Sequence, residues 1–486
     1  MIKKGEIIKL EIVDYAFVGK GIAKLNTEEK DYIVFVQHGI KGQIANVKIT
    51  KKKPNYAEGT ITELIQHSPL EKTTKYQPIS GSPYINLPIE EQKKMKLKVT
   101  KEVFTKIGKI KDIDSLFDQW ISSPSNYHYR NKMEYSFSSI GFNLEKEVVE
   151  DDVFNLGFKR KGTWWMVENL DADSGLFDQE LDTKLSLIRN HLQRTGLPAW
   201  HPPKKEGFFR YLVVRKSFSN YQLLFNLVTS SKYLNKFNIP AFGSYLKEIL
   251  GERLAGLIHT TNDDVADREK LDKGSSKLIT GNSTIKETIN GLNFEISMQS
   301  FFQTNPLCAE KLYQKVIDYL LEAEIPKDQI IMDLFCGTGT IGQLIAKYTN
   351  NKVVGVDIVA SSIENAKKNV LENSQKNNLS ELTFICADVG NFLLNNPEYQ
   401  NKIHSIVIDP PRAGIAPKTL RKVIRLNAKV IIYVSCNPGT QARDLITLHE
   451  MGYELQKFSL VDQFPHTSHI ESIMLFKKIT DRNDLK

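Results

Sequence analysis

Between residues 1 and about 64, runs of apolar residues alternating with polar ones are cut by glycines: "IIKLEIVDYAF", "GKGIAKL", "DYIVFVQHGIKGQIANVKITKKK" and "AEGTITELI". Short strands at close spacing with glycine punctuation predict a small, OB-like β-barrel. Next, "QPISGSPYINLP" is a Pro/Gly/Ser-rich connector. After it, "EEQKKMKLKVTKEVFTKIG" has the apolar spacing of a helix over about 90–112, with a basic face. Strand patterns return from about 120 to 290. There Met133, Tyr135 and Phe137 alternate with Lys132, Glu134 and Ser136, and "FRYLVVRKSFSNYQLLFNLV" reads as a hairpin turning at Ser219-Asn220. Beyond about 300 the pattern becomes strand, glycine turn, helix, repeated, as in "QIIMDLFCGTGTIGQLIAKY" and "KVVGVDIVASSIENAKKNVLENS". "LTFICADV", "SIVIDPPRAG" and "AKVIIYVSCNPG" follow, and this alternation predicts a doubly wound, mostly parallel α/β sheet. The pattern divides the chain into a barrel (1–64), a strand-rich α+β domain (65–295) whose 90–112 helix is available to pack on the third, and the α/β domain (296–480).

Composition adds bounds. A chain of 486 residues is too long for one core, and 41% hydrophobic with 25% charged residues is ordinary for a folded soluble protein. The start, "MIKKGEIIKLEIVDYAF", has charges inside its apolar stretch, unlike a signal peptide, and no apolar run approaches the roughly 20 residues that span a bilayer. Cys308, Cys336, Cys386 and Cys436 are widely spaced and suit a reduced cytoplasm. The net charge of +8 is concentrated. Residues 1 to 110 hold 20 Lys and no Arg against 12 acidic residues, and the rest of the chain balances. Such a surface attracts a phosphate backbone, although Lys48, Lys51, Lys52 and Lys53 at a strand end equally suit a solvated edge. Cys308, Cys336 and Cys386 read as small buried hydrophobes.

Gly337, Gly339 and Gly342 form a G-x-G-x-x-G between a predicted strand and a helix, with Asp357 ending the next strand. Taken alone this is a dinucleotide fingerprint, so a nicotinamide cofactor is one reading. Further acids favour another: Asp333 just before the glycines, Asp388 after the third strand, and "DPPR" (409–412) after the fourth. A series of carboxylates along one sheet edge suits a nucleoside with an amino-acid tail better than a pyrophosphate, and so suggests S-adenosylmethionine. Cys436 ends the strand "AKVIIYVS", where open α/β sheets keep their ligands. By itself a cysteine there reads as a structural thiol.

In the order "FFQTNP", "DLFCGTG", "GVD", "IDPPRAG", "YVSCNP", "FPHTSHIES", the chain resembles the RNA uracil-5-methyltransferase family over nearly its whole length. The resemblance implies a TRAM barrel, a central domain and a Rossmann-like methyltransferase domain. It implies S-adenosylmethionine contacts at Gln303, Phe335, Asp357 and Asp409, with Gly337, Gly339 and Asp388 beside them. It also implies Cys436 as nucleophile and Glu471 as base. That chemistry needs those residue types. Carbon 5 of uracil attacks a methyl sulfonium only after a thiolate adds at carbon 6, and a base must then remove the carbon 5 proton. His466 and His469 are alternative bases, with packing or RNA contact as their other reading. Asp409 could accept from the cofactor's ammonium or from the uracil ring.

One departure stands out. Several family members carry a Cys-Gly-Gly-Cys belonging to an iron-sulfur site; here the matching positions are Ile79, Ser80, Gly81 and Ser82, and no cluster is expected. The expected partner is structured RNA, 23S ribosomal RNA before transfer RNA, for a cytoplasmic, monomeric enzyme. A non-catalytic RNA-binding assembly factor is the rival from another class; the nucleophile, base and glycine turn it could have lost are all present.

Overall fold

In the computed structural model, residues 2–26, 31–143, 148–160, 162–264 and 274–479 are described. They form two compact units: Met1–Thr73, Tyr84–Asn126 and Leu307–Lys486 in one, Thr74–Pro83 and Tyr127–Pro306 in the other. Residues 84–126 and 296–306 therefore group differently from the sequence-based boundaries, as do residues 65–73, which stay with the barrel. The reason for the first is packing: helix α1 (Ile89–Lys106) sets Val103 and Phe104 into the same core as Met332, Ile431 and Phe458.

In the first unit, β1 (Ile7–Ala16), β2 (Lys20–Asn26), β3 (Asp31–Gln37), β4 (Ile44–Lys52) and β5 (Tyr56–Gln66) close into a barrel in the order β1-β2-β3-β5-β4. Alternation drives this closure: Leu10, Ile12, Val34, Val36, Val47 and Ile49 fill the interior, and full closure leaves no edge strand. The barrel also touches the rest of its unit. Phe17, in the β1–β2 turn, packs on the large core, and a Cβ added to Gly439 would lie 3.1 Å from its ring. Two residues on, the Gly19 carbonyl accepts from the Tyr84 hydroxyl at 2.9 Å, and an added Cβ there would meet Ser468 at 2.4 Å.

The same unit holds an eight-stranded sheet. Leu382–Cys386, Lys352–Asp357, Ile330–Leu334, Ile403–Ile408 and Val430–Ser435 lie side by side in that order, all parallel. Glu471–Lys478 then runs antiparallel beside Val430–Ser435, followed by Tyr453–Val461 and Phe117–Ile121. The central strands are apolar and buried, as a sheet covered on both faces requires.

The second unit is built on a nine-stranded sheet that contains both sequence-read elements. In Lys132–Ser138, Met133, Tyr135 and Phe137 are buried while Glu134 is exposed. Phe209–Lys216 and Leu223–Thr229 form the expected hairpin. The segment aligned with the cluster cysteines is held here by other means. Tyr76 lies against Tyr127, ring centroids 4.6 Å apart, and over the Cα of Gly175. The Gln77 side-chain oxygen accepts from the backbone of Asp171 and Ala172, both at 2.9 Å. Ile79 and Ser82 are buried without offering a thiolate. Among the described residues no group of three or more His, Cys, Asp or Glu side chains could hold a metal ion. Residues 79–82 do not fit an iron-sulfur cluster.

Candidate active site

The carboxyl ends of the parallel strands place the candidate residues in a row. Asp357 ends its strand and Asp333 is the fourth residue of the next, with Phe335 just beyond it; Asp409 and Cys436 each follow theirs. Asp388 follows the outermost strand, where its side chain caps the helix Val389–Asn395 by accepting from the Asn391 N–H at 2.9 Å. Glu471 joins the row from the opposite chain direction. Ser435 pairs with Ser472 across the antiparallel strands, and Cys436 and Glu471 are the residues next to them in the chain.

The glycine loop is braced from the neighbouring strand. Asp357 accepts the Gly337 N–H at 2.9 Å on one oxygen and the Val359 N–H at 2.8 Å on the other. Phe335 adopts a left-handed φ of +64°, held by its N–H to the Val356 carbonyl at 2.9 Å. Strain of this kind in a non-glycine residue survives only where surroundings impose it, often at ligand sites. Gly339, at φ +76°, has no room for a side chain, because a Cβ would meet the Phe384 ring at 2.3 Å. Gly337, at φ +54°, is different: a Cβ there would meet nothing within 4 Å, so its backbone borders open space. Asp333 is fully buried with neither carboxylate oxygen hydrogen-bonded. Burial raises its pKa well above the carboxylate range, and the negative charges of Asp409 and Asp357 add to that. A buried acid beside a glycine loop that borders open space fits a nucleoside-bearing ligand.

Electrostatics push the other acids the same way. Burial lifts Asp409 to about 7, and burial with the Asp409 charge lifts Glu471 to about 8. Cys436 is pushed to about 11, first by burial and then by Glu471 and Asp409, while Arg412 pulls it down. The Asn437 side chain accepts from the Gly439 N–H at 3.1 Å and caps the helix Pro438–Glu450, and its amide donates to the Arg412 carbonyl at 3.1 Å. The Asn-Pro-Gly turn thus starts a helix and ties the Asp409 loop to the Cys436 loop.

Gln303 belongs to the second unit, where its carbonyl accepts from the Asn131 side chain at 3.0 Å. His466 is buried, and burial lowers its pKa to about 4, so it stands neutral. His469 is half-buried, against the edge of Phe464. Cys308 and Cys336 are buried as expected; Cys386 is not. It ends the outermost strand of the sheet, which has a neighbour on one side only. The sequence reading passed over two residues near the site, Gln92 and Lys96. Both occupy the inner face of α1, and their signal was a polar pair at i and i+4 among the apolar positions Met95, Val99 and Val103.

Residues 274–479 match the tRNA (uracil-5-)-methyltransferase family and residues 3–62 match the TRAM domain. An uncharacterized RNA methyltransferase of Clostridium tetani is 34% identical over 476 residues, covering 97% of this chain and 98% of that one. The chain belongs to the tRNA (uracil-5-)-methyltransferase family. As an RNA (uracil-5-)-methyltransferase with an amino-terminal TRAM domain, it is also 36% identical to an uncharacterized RNA methyltransferase of Caldanaerobacter subterraneus subsp. tengcongensis. That match covers 98% of the methyltransferase and 99% of the relative. The methyltransferase shares its fold with the Pyrococcus abyssi tRNA (uracil-54, C5)-methyltransferase, solved in complex with S-adenosyl-L-homocysteine. There the TM-score is 0.66 at 23% identity, over 96% of this chain and 100% of that one.

Proposed function

We propose that this enzyme methylates carbon 5 of a specific uridine in 23S ribosomal RNA, using S-adenosylmethionine and a covalent bond between Cys436 and the base. The observation that supports the reading most is that Cys436 and Glu471 adjoin the Ser435–Ser472 pair at the head of the sheet, near enough for the Glu471 charge to raise the Cys436 pKa. The target uridine must leave its stack to reach them. Cys436 adds to carbon 6 and its electron pair moves through the ring to make carbon 5 nucleophilic. S-adenosylmethionine, when bound, supplies an electrophilic methyl group on sulfur. Glu471 then takes the proton from carbon 5, the ring double bond re-forms, and the Cys436 sulfur leaves. Phe335, Gly337, Gly339, Asp357, Asp388 and Asp409 hold the methyl donor, with Asp333 as the buried acid behind them; Gln303 is assigned to it by family resemblance alone.

Ribosomal RNA is favoured by the amino-terminal TRAM domain, which transfer-RNA members of the bacterial family often lack. This is an association rather than a contact. Transfer RNA is the second reading, supported by the family description and by the name of the Pyrococcus abyssi enzyme. Mass spectrometry of ribosomal and transfer RNA from cells with and without the gene tests both. Loss of 5-methyluridine from 23S ribosomal RNA is expected; loss only from transfer RNA would select the second reading, and loss from neither would overturn the function.

A further inference from the structure

Helix α1 reaches the segment that leads to Glu471. Gln92 is fully buried, and its side-chain oxygen accepts the His466 N–H at 2.8 Å. That acceptor role fixes the amide orientation, so the nitrogen donates to the Leu87 carbonyl at 2.6 Å and the Tyr84 carbonyl at 3.0 Å, with His466 Nδ1 also 3.1 Å away. The His466 carbonyl in turn accepts the Tyr84 N–H at 3.1 Å. His466 has a left-handed φ of +64°, a conformation costly for a non-glycine residue unless its neighbours hold it.

One helical turn further along α1, Lys96 forms a buried ion pair with Asp462 at 2.6 Å and donates to the Phe464 carbonyl at 3.0 Å. Gln92 and Lys96 thus grip both ends of the 462–466 turn. The turn is also tied to the residues after it. The Thr467 hydroxyl donates to the Phe464 carbonyl at 2.8 Å and accepts the His469 N–H at 3.1 Å, two residues before Glu471. On the far side of Glu471, Ser472 donates to Gln441 of the helix after Cys436.

We infer that Gln92 is a positioning residue for the carbon 5 proton transfer: by locking His466 in its left-handed conformation, with Lys96 holding the other end of the turn, it fixes where Glu471 enters the site. This rests on the proposed role of Glu471 as base. The consequence is selective. Loosening the turn should slow proton removal while leaving Cys436, anchored on its own strand and helix, free to add to the ring. An error of 1 Å in a reacting group can cost about a hundredfold.

The test uses full-length Gln92→Met, which keeps the volume and removes both hydrogen-bonding functions, and Gln92→Glu, which keeps an acceptor for the His466 N–H. Each is compared with Glu471→Gln on an RNA substrate and methyl-labelled S-adenosylmethionine. Gln92→Met should lower kcat about ten- to hundredfold with KM for RNA within about twofold, and a methylated protein-RNA adduct should accumulate that survives denaturing electrophoresis. Gln92→Glu should fall between it and the wild type, and it carries the test should the methionine variant fail to fold. Unchanged turnover, or turnover and adduct lost in proportion, would overturn the inference. If Glu471→Gln itself traps no adduct, the assignment of the base fails, and the inference falls with it.

Discussion

Replacing Glu471 with glutamine separates the proposed chemical role of its carboxyl from the cost of burying it. Chemically, the amide keeps the shape but cannot take the carbon 5 proton, so a methylated covalent adduct should persist on denaturing gels and vanish in the double variant with Cys436→Ala. Thermodynamically, burial raises the folded-state pKa from 4.5 to about 8. Any stability tied to the protonated form is therefore complete below about pH 4.5 and is lost as pH rises through 8. Glu471→Gln should melt a few degrees above the wild type at pH 8.5, with the gap closing at pH 5; an equal gap at both would contradict the buried carboxyl. The same groups set the activity profile. The thiolate of Cys436 (about 11) and the ionised Glu471 (about 8) are the forms needed, so single-turnover rates should rise from pH 6 to 9. Cys436→Ala should abolish methylation with fold and cofactor affinity retained, checked by calorimetry. The proposed roles of Cys436 and Glu471 rest on motifs that carry the family resemblance, since a lone cysteine at a strand end reads as a structural thiol. The exposure of Cys386 was not legible, since "LTFIC" reads the same at the edge of a sheet as at its centre. Nor was the approach of Glu471 to Cys436, which depends on an antiparallel strand entering an otherwise parallel sheet from a hairpin.

At the scale of elements, the strand-loop-helix around the glycines is closely packed. Phe384 fills the space left by Gly339, and the Asp357 carboxylate braces Gly337. Gly339→Ala would bring a methyl group against that ring in a left-handed conformation. Overpacking of this kind costs about 1–3 kcal/mol. Calorimetry should show S-adenosylmethionine affinity reduced at least tenfold, alongside a lower Tm; unchanged affinity would remove the loop from the cofactor site. This element was readable from spacing. Helix α1 was read as a helix with a basic face, but its role was hidden, because a sequence shows that Gln92 and Lys96 interrupt an apolar stripe without showing what they meet. The segment at residues 79–82 makes a simpler prediction: protein prepared without oxygen should contain no stoichiometric iron by elemental analysis.

Across the whole molecule, the excess of lysine lies in the first 110 residues, and the barrel carries part of it. Deleting residues 1–64 should weaken RNA binding and flatten its salt dependence, since fewer phosphate counterions are released; an unchanged slope would count against the barrel as an RNA grip. The sequence divides barrel from sheet cleanly, because hydrophobic periodicity reports each element's own core and nothing of what packs outside it. Yet the β1–β2 turn rests against Gly439 through Phe17, three residues past Cys436, and against Ser468 through Gly19, three residues before Glu471. Deleting residues 1–64 therefore also removes these contacts, so the salt slope of RNA binding, and not turnover, is the readout of that deletion. A chimera that borrowed a relative's barrel would import a foreign doorstop against both reactive loops, and would have to exchange residues 437–440 and 466–469 with it. The turn and the two loops it touches pack as one piece.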